Sequence, residues 1–250
     1  MAKVIYTTPE MEYNTLFCEI SKQYNTLIAG FVGSGKSVLL HGIIHSIATT
    51  NLPIDGENGA VLFLADPKRV ELVEWADLPH TQRYACDHED IIDMMDEVMA
   101  EMEWRFTQMQ KNRQKKYSGG DLYLIIDELA DLMVTQKRAF SSRLTKIMQL
   151  GRAAKVHVIS ATQSPSRKTI PTESQLNYTC QIALHCRTAI ESRQIIGVPG
   201  AEELPLYGSA LVSMNGTIQK YPIEMIEDSE LQELRDWWST EGKGIEHLPV

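Results

Sequence analysis

The sequence predicts an α/β fold in which a mainly parallel central sheet is covered by helices and ends in a C-terminal hairpin. Short apolar runs of strand length alternate along the chain with longer segments whose apolar residues recur at helical spacing. Two of these runs, at 60–65 and 122–126, contain no charged residue, as expected for parallel strands that are buried on both faces. In such a fold, ligands bind at the carboxyl ends of the strands.

The predicted elements follow one another in an order typical of this class. After residue 24 they are a strand at 26–29, a helix at 38–48, a strand at 60–65, a long amphipathic helix at 87–115, a strand at 122–126, a helix at 138–153, strands at 156–161 and 180–184, a hairpin made of 209–214 and 217–222 around Asn215-Gly216, and a closing helix at 228–239. The predicted boundaries are a leading strand or arm at 1–24, a main domain at 25–226, and a C-terminal helix and tail at 227–250.

Composition and charge narrow the class of protein. The 250 residues are enough for one substantial core, and no apolar stretch approaches the ~20 residues of a membrane-spanning helix. The four cysteines show no metal-binding spacing, which predicts reduced thiols in a cytoplasmic protein. The net charge of −9 argues against a generally basic nucleic-acid binder, but not against a ring with basic residues on its inner surface.

The segment Gly30–Ser37 is a complete phosphate-binding P-loop, placed between a predicted strand and a predicted helix. Its glycines allow several backbone N–H groups to point at phosphates, at a helix N-terminus that favours negative charge. We expect Lys36 to reach the β- and γ-phosphates and the Ser37 hydroxyl to hold Mg²⁺. The predicted nucleotide-binding residues are Gly30, Val32, Gly33, Ser34, Gly35, Lys36, Ser37 and Val38.

Acidic and polar residues follow two later strands. Asp127 and Glu128 end the strand at 122–126, which is the Walker B pattern. We expect Asp127 to bind Mg²⁺ through its water shell and Glu128 to activate the attacking water. Gln163, after the strand at 156–161, is a candidate sensor of the γ-phosphate. Because the Asn-Lys-x-Asp motif that reads guanine is missing, the sequence predicts ATP rather than GTP.

In combination, these motifs resemble the motor domain of FtsK/SpoIIIE DNA translocases. The resemblance covers roughly Asn25 to Val212 and is carried, in order, by Gly30–Val38, Asp66–Lys68, Leu78–His80, Met102–Phe106, Asp127–Met133, Arg152–His157, Ala161–Ser166 and Glu191–Arg193. It implies a RecA-like core that works as a hexameric ring, hydrolysing ATP to pull double-stranded DNA through a central channel. It also implies an arginine finger supplied across the subunit interface, for which Arg152 and Arg105 are candidates and Arg193 is the third.

Basic residues mark where DNA is expected. Arg167 and Lys168 follow the strand at 156–161, at the position matching a pore loop of the family, and can track phosphates without reading bases. The basic segment 111–116 ends the long helix and is either a second DNA contact or a solvated helix end.

The sequence also departs from the family. A membrane-spanning N-terminus and a winged-helix domain, which chromosome-segregating members carry, do not fit in this chain. We therefore expect a motor without direct membrane insertion, encoded by a phage, plasmid or conjugative element. A relaxase, a recombinase or another protein is expected to load it. Two alternatives stay open: a protein-translocating ATPase like type VII secretion motors, which 197–205 resembles, and a coupling module that uses nucleotide as an assembly switch.

Overall fold

A computed structural model describes residues 15–50, 59–166, 168–170 and 175–223, together with positions 229, 232 and 236. The described strands form one eight-stranded sheet in the order β3-β2-β4-β5-β1-β6-β7-β8. Their bounds are β1 Asn25–Ala29, β2 Val61–Ala65, β3 Thr81–Ala85, β4 Leu122–Ile126, β5 Val156–Thr162, β6 Cys180–Ala183, β7 Ser209–Met214 and β8 Thr217–Pro222. The first six strands are parallel, whereas β7 and β8 are antiparallel additions at one side.

Helices cover both faces of this sheet. Their bounds are α1 Thr15–Ser21, α2 Lys36–Thr50, α3 His88–Lys111, α4 Leu129–Thr135, α5 Lys137–Leu150 and α6 Ala189–Ile196. One apolar core lies between the sheet and the helices α3, α4, α5 and α6, and a second lies between the sheet and the helices α1 and α2. Because both faces are covered, β1, β4 and β5 are buried along their whole length, as their apolar sequences predict.

The strand register places the functional motifs in one row. Ala29 of β1 pairs with Thr162 of β5, and Ile126 of β4 pairs with Ser160 of β5. Since β5 lies between β1 and β4, the P-loop after Ala29 and the acidic pair after Ile126 emerge on the two sides of Thr162. We call this side of the sheet the carboxyl-end edge and the opposite side, where the parallel strands begin, the amino-end edge.

Most predicted elements are confirmed. The hairpin forms around Asn215 and Gly216, whose φ angles of 53° and 78° are those of the tight turn that an Asn-Gly pair favours. Of the leading strand or arm expected at 1–24, residues 1–14 lie outside the described residues, and Thr15–Ser21 is a helix that buries Leu16, Phe17 and Ile20 in the second core.

Other differences concern the less apolar parts of the chain. The edge strand β3 and the helix α6 were not predicted, and the helix expected at 138–153 ends at Leu150 after starting at Lys137. The closing helix expected at 228–239 lies, apart from positions 229, 232 and 236, outside the described residues. None of the helices in the described ranges is both long enough and apolar enough to cross a lipid bilayer.

Candidate functional site

The P-loop links the end of β1 to the start of α2. Gly33 and Gly35 have φ angles of 79° and 90°, which a residue with a Cβ atom adopts only with strain, and beyond their chain neighbours no described atom lies within 4 Å of where either Cβ would be. The Phe31 N–H donates to the carbonyl of His185 at 2.8 Å, which ties the loop to the segment after β6. The predicted loop therefore has the open backbone turn that phosphate binding requires.

The P-loop lysine contacts the Walker B aspartate directly. The Lys36 Nζ atom lies 2.5 Å from Asp127 Oδ1, and their side chains are 4% and 0% exposed. Burial raises the pKa of Asp127, against the opposing effect of the Lys36 ammonium. The pair shows that the two motifs, separated along the chain by the whole of β2, β3 and α3, meet at one point of the carboxyl-end edge.

The second acid of the pair is held by three donors. Glu128 Oε1 accepts from the Thr162 hydroxyl at 3.0 Å and from the Gln163 N–H at 3.2 Å. Its Oε2 accepts from Lys68 Nζ at 2.5 Å. The Glu128 backbone is left-handed, with φ 56° and ψ 63°, a conformation that is uncommon for a residue other than glycine and that clusters at functional sites. The carboxylate is thereby fixed beside the Lys36–Asp127 pair.

A site for a divalent cation is compatible with these residues. Asp127 Oδ2 and the Ser34 hydroxyl are buried and have no hydrogen-bond partner among the described residues. A buried carboxylate oxygen without a donor is costly unless a ligand satisfies it. Oxygen donors are also what Mg²⁺ prefers. Asp127 and the half-buried hydroxyl of Ser37, at the start of α2, are thus suited to hold Mg²⁺, which would neutralise phosphate charge when bound.

The sequence did not single out two cationic residues that lie at this edge, Lys68 and Arg187. Lys68 was noted only as part of a motif, and its contact with Glu128 depends on the pairing of β2 with β4. Arg187 has its guanidinium carbon 4.2 Å from the centroid of the Phe31 ring in the P-loop. The only signal of Arg187 in the sequence was its place shortly after the strand at 180–184, which is a weak one.

Arg105 is not available as an arginine finger, which corrects that prediction. Its side chain is 3% exposed and lies at the amino-end edge, far along the strands from the P-loop. It donates to Glu101 at 2.7 Å and to the carbonyls of Gly120 and Ala154 at 3.1 and 2.9 Å. Through these hydrogen bonds the Arg105 guanidinium holds α3 against the starts of β4 and β5. Because the side chain is buried, a neighbouring subunit cannot reach it.

The remaining predicted residues are distributed over both edges. Arg152 is exposed at the amino-end edge, where its guanidinium carbon lies 5.7 Å from the Tyr24 ring centroid, and Arg193 is exposed on α6. Gln163 is half-buried directly after β5, beside Glu128. Lys168 is exposed in the loop that follows, whereas Arg167 lies outside the described residues.

Comparison with known proteins confirms the family resemblance. The FtsK/SpoIIIE family model matches residues 3–123. The DNA translocase FtsK of Staphylococcus epidermidis is 31% identical over 238 residues, which is 86% of this chain and 29% of that protein. The chain therefore carries a domain of the FtsK/SpoIIIE family, and it spans about a third of the length of the relatives it matches.

Solved structures confirm the fold. The pCW3 conjugation coupling protein TcpA, in its monomer form with ATPγS, superimposes with a TM-score of 0.73 at 20% identity, covering 86% of this chain and 66% of that one. The cytoplasmic domain of the type VII secretion ATPase EccC of Thermomonospora curvata gives a TM-score of 0.75 at 21% identity, covering 90% and 29%. At these identities the likeness shows a RecA-like P-loop fold and nothing finer.

Proposed function

We propose that this chain is an ATP-hydrolysing motor that moves double-stranded DNA through a homo-oligomeric, hexameric ring. One observation carries the proposal: Lys36, Asp127 and Glu128 meet at the carboxyl-end edge, in contact with one another or with Thr162 of the intervening strand. Family membership supports the choice of DNA as the substrate, since the matching relatives are named DNA translocases.

Each residue of the site has a task that its position supports. The P-loop, from Gly30 to Val38, binds the phosphates, and Lys36 exchanges its contact with Asp127 for the β- and γ-phosphates. Glu128 accepts a proton from the attacking water, since the strand ends hold its carboxylate rigidly. Gln163 senses the γ-phosphate from the tip of β5, one residue beyond Thr162.

Two measurements test the activity and the assembly. We expect the rate of ATP hydrolysis to rise when double-stranded DNA is added, and a mass measurement in the same buffer to give six copies. Hydrolysis that ignores DNA would contradict the DNA-motor assignment while leaving the ATPase site intact. Slow turnover with or without DNA, together with nucleotide-dependent assembly, would instead support the coupling module.

The DNA contact is proposed to lie in the loop after β5. Replacing Arg167 and Lys168 with alanine should reduce DNA-stimulated turnover and leave the turnover without DNA nearly unchanged. The slope of log affinity against log salt should fall by about two units, one for each lost phosphate contact. Unchanged affinity and an unchanged slope would remove this loop from the DNA path.

The arginine finger is proposed to be Arg152 or Arg193, both of which are exposed. A Lys36→Ala protein is expected to be inactive but to offer an intact finger, whereas an Arg152→Ala protein keeps an intact P-loop. When equal amounts of the two proteins are mixed and their subunits exchange freely, about a quarter of the subunit interfaces combine an intact P-loop with an intact finger. Because a finger in trans is worth 10³-fold or more, recovered activity should exceed that of either parent.

The same mixing with Arg193→Ala decides between the candidates. Arg105→Ala serves as the negative control: because Arg105 is buried, its folded fraction should hydrolyse ATP by itself, and mixing it with Lys36→Ala should give no activity above that of the Arg105→Ala parent. If neither exposed arginine restores activity in rings shown to be mixed, both are excluded as fingers.

The last part of the proposal concerns the biological setting of the motor: the genetic element that encodes it, its compartment and its loading partner. We place the motor with a phage, plasmid or conjugative element, in the cytoplasm, where a relaxase or recombinase loads it onto DNA. A type VII secretion-like, protein-translocating ATPase is the second candidate, favoured by the segment 197–205. Stimulation of hydrolysis by DNA, measured against stimulation by a candidate secreted protein, distinguishes the two.

A further inference from the structure

The two acids of the Walker B pair are each paired with a lysine, but only one of these lysines has a task in the proposed mechanism. Lys36 pairs with Asp127 and belongs to the P-loop. Lys68 pairs with Glu128 through an equally short contact of 2.5 Å and belongs to neither nucleotide motif. The proposed mechanism therefore does not explain why the Lys68 ammonium group contacts the Glu128 carboxylate.

The position of Lys68 follows from the strand pairing. Ala65 of β2 pairs with Ile126 of β4, so the residues that follow these two positions emerge side by side at the carboxyl-end edge. The turn after β2 is fixed because the Asp66 carboxylate accepts from the Leu72 N–H at 2.9 Å and the Asp66 carbonyl accepts from the Arg69 N–H at 3.0 Å. The turn thus holds the stem of Lys68 over the end of β4.

The contact uses an oxygen atom that catalysis needs. Glu128 Oε1 is already bonded to the Thr162 hydroxyl, at the end of β5, and to the N–H of Gln163, directly after it. The only other oxygen, Oε2, accepts from Lys68. A general base has to present a free lone pair within hydrogen-bond reach of the water it deprotonates. While Lys68 is bound, Glu128 keeps a single free lone pair, on Oε2 and next to the ammonium group.

Of these donors, Lys68 is the one that can leave. Its side chain is 40% exposed, whereas that of Glu128 is 6% exposed. A lysine ammonium on a four-carbon stem moves into solvent readily, whereas the Thr162 side chain is fully buried and the Gln163 donor is a backbone N–H directly after β5. In the absence of other cations, the contact also stabilises the buried carboxylate, which would be costly to bury alone.

We propose that Lys68 restrains Glu128 in the resting motor, and that hydrolysis becomes faster when Lys68 releases Oε2. Lys68 is then a positioning residue that limits the rate of hydrolysis before DNA is bound. The inference rests on the proposed ATPase function and adds to it a residue that sets the basal rate.

The test compares steady-state kinetics of Lys68→Met with the wild-type protein in the absence of DNA. Methionine keeps the length of the side chain and removes the ammonium group. We expect kcat to rise about two- to fivefold, as befits the loss of a partly exposed ion pair, with KM for ATP nearly unchanged. The Lys68→Arg protein, which keeps the charge, should retain the low wild-type kcat.

Lys146→Met is the matched control. Lys146 is 44% exposed and pairs with Glu103 at 3.2 Å, so its replacement removes a similar ion pair away from the site and should leave kcat unchanged. An unchanged or lower kcat in Lys68→Met overturns the proposal, as does an equal rise in Lys146→Met. Lys68→Gln is measured in parallel and decides the question if the methionine variant fails to fold.

The outcomes separate the two proposals. A wild-type protein without ATPase activity defeats the proposed function itself. An active wild-type protein whose Lys68 variants show no rise defeats only the restraint.

Discussion

The two edges of the central sheet both bury charged groups, but they satisfy them differently. At the amino-end edge, Arg105 donates to backbone carbonyls on both neighbouring strand starts. His157 lies 2.8 Å from the Gln23 carbonyl through Nδ1 and 2.9 Å from the Asp121 carboxylate through Nε2. At the carboxyl-end edge, Asp127 keeps one buried carboxylate oxygen without a partner in the described part of the chain.

The difference separates structural from functional charge. A buried charge whose hydrogen bonds are complete rigidifies the fold and gains nothing from a ligand. A buried charge with open hydrogen-bonding capacity destabilises the empty protein, and a ligand relieves that cost. The pKa values agree: burial raises that of Asp127, whereas for Asp121 the upward effect of burial is outweighed by the His157 hydrogen bond and nearby lysines, so its pKa is lowered.

The largest expected effect is on catalysis at the carboxyl-end edge. Glu128→Gln should lower the rate of ATP hydrolysis by ~10²–10⁴-fold, because the general base is lost, while nucleotide binding measured by calorimetry stays intact. Asp121→Asn is the matched change at the amino-end edge and should leave the rate per folded molecule unchanged. If Glu128→Gln keeps more than about half of the wild-type rate, another residue activates the water.

A smaller effect is expected on stability at the amino-end edge. Arg105→Met should lower the free energy of unfolding by about 2–4 kcal/mol, because buried carbonyls lose their donor. Hydrolysis per folded molecule should be retained, measured below the melting temperature. Arg143→Met removes a more exposed arginine that pairs with Asp96 at 2.7 Å and should cost no more than about 1 kcal/mol. Equal losses in the two variants would contradict the structural role of Arg105.

The smallest effect is a pH dependence at the same edge. Burial lowers the pKa of His80, just before β3, from 6.5 to about 4. The unfolded chain therefore binds a proton that the folded protein does not, so stability is complete above pH 6.5 and falls as the pH drops towards 4. Between pH 7 and 5 the expected loss is about 2 kcal/mol. When urea unfolding is measured across this pH range, the free energy of unfolding of His80→Gln should not show this fall. If it falls with pH as much as that of the wild-type protein, His80 is not the cause.

The sequence predicts the buried central strands of the fold better than the strand at the edge of the sheet. Strands with unbroken apolar runs, such as 122–126, were located correctly because burial on both faces leaves a clear pattern. The edge strand β3 mixes polar and apolar residues, and only its pairing with β2 makes it a strand. Arg105 was wrongly considered as an arginine finger because an arginine on an amphipathic helix is usually exposed. Its burial depends on backbone carbonyls that are distant in the sequence, such as that of Ala154.

The sequence by itself determined the features that depend only on residues close together along the chain. The P-loop requires glycines and a lysine at fixed intervals between a strand and a helix, and the acidic pair requires only the end of a buried strand. The tertiary structure alone decided which of these ends meet. Placing β5 between β1 and β4, and β2 beside β4, brings Thr162 and Lys68 onto Glu128, because hydrogen bonding between strands joins residues whose separation along the chain carries no local signal.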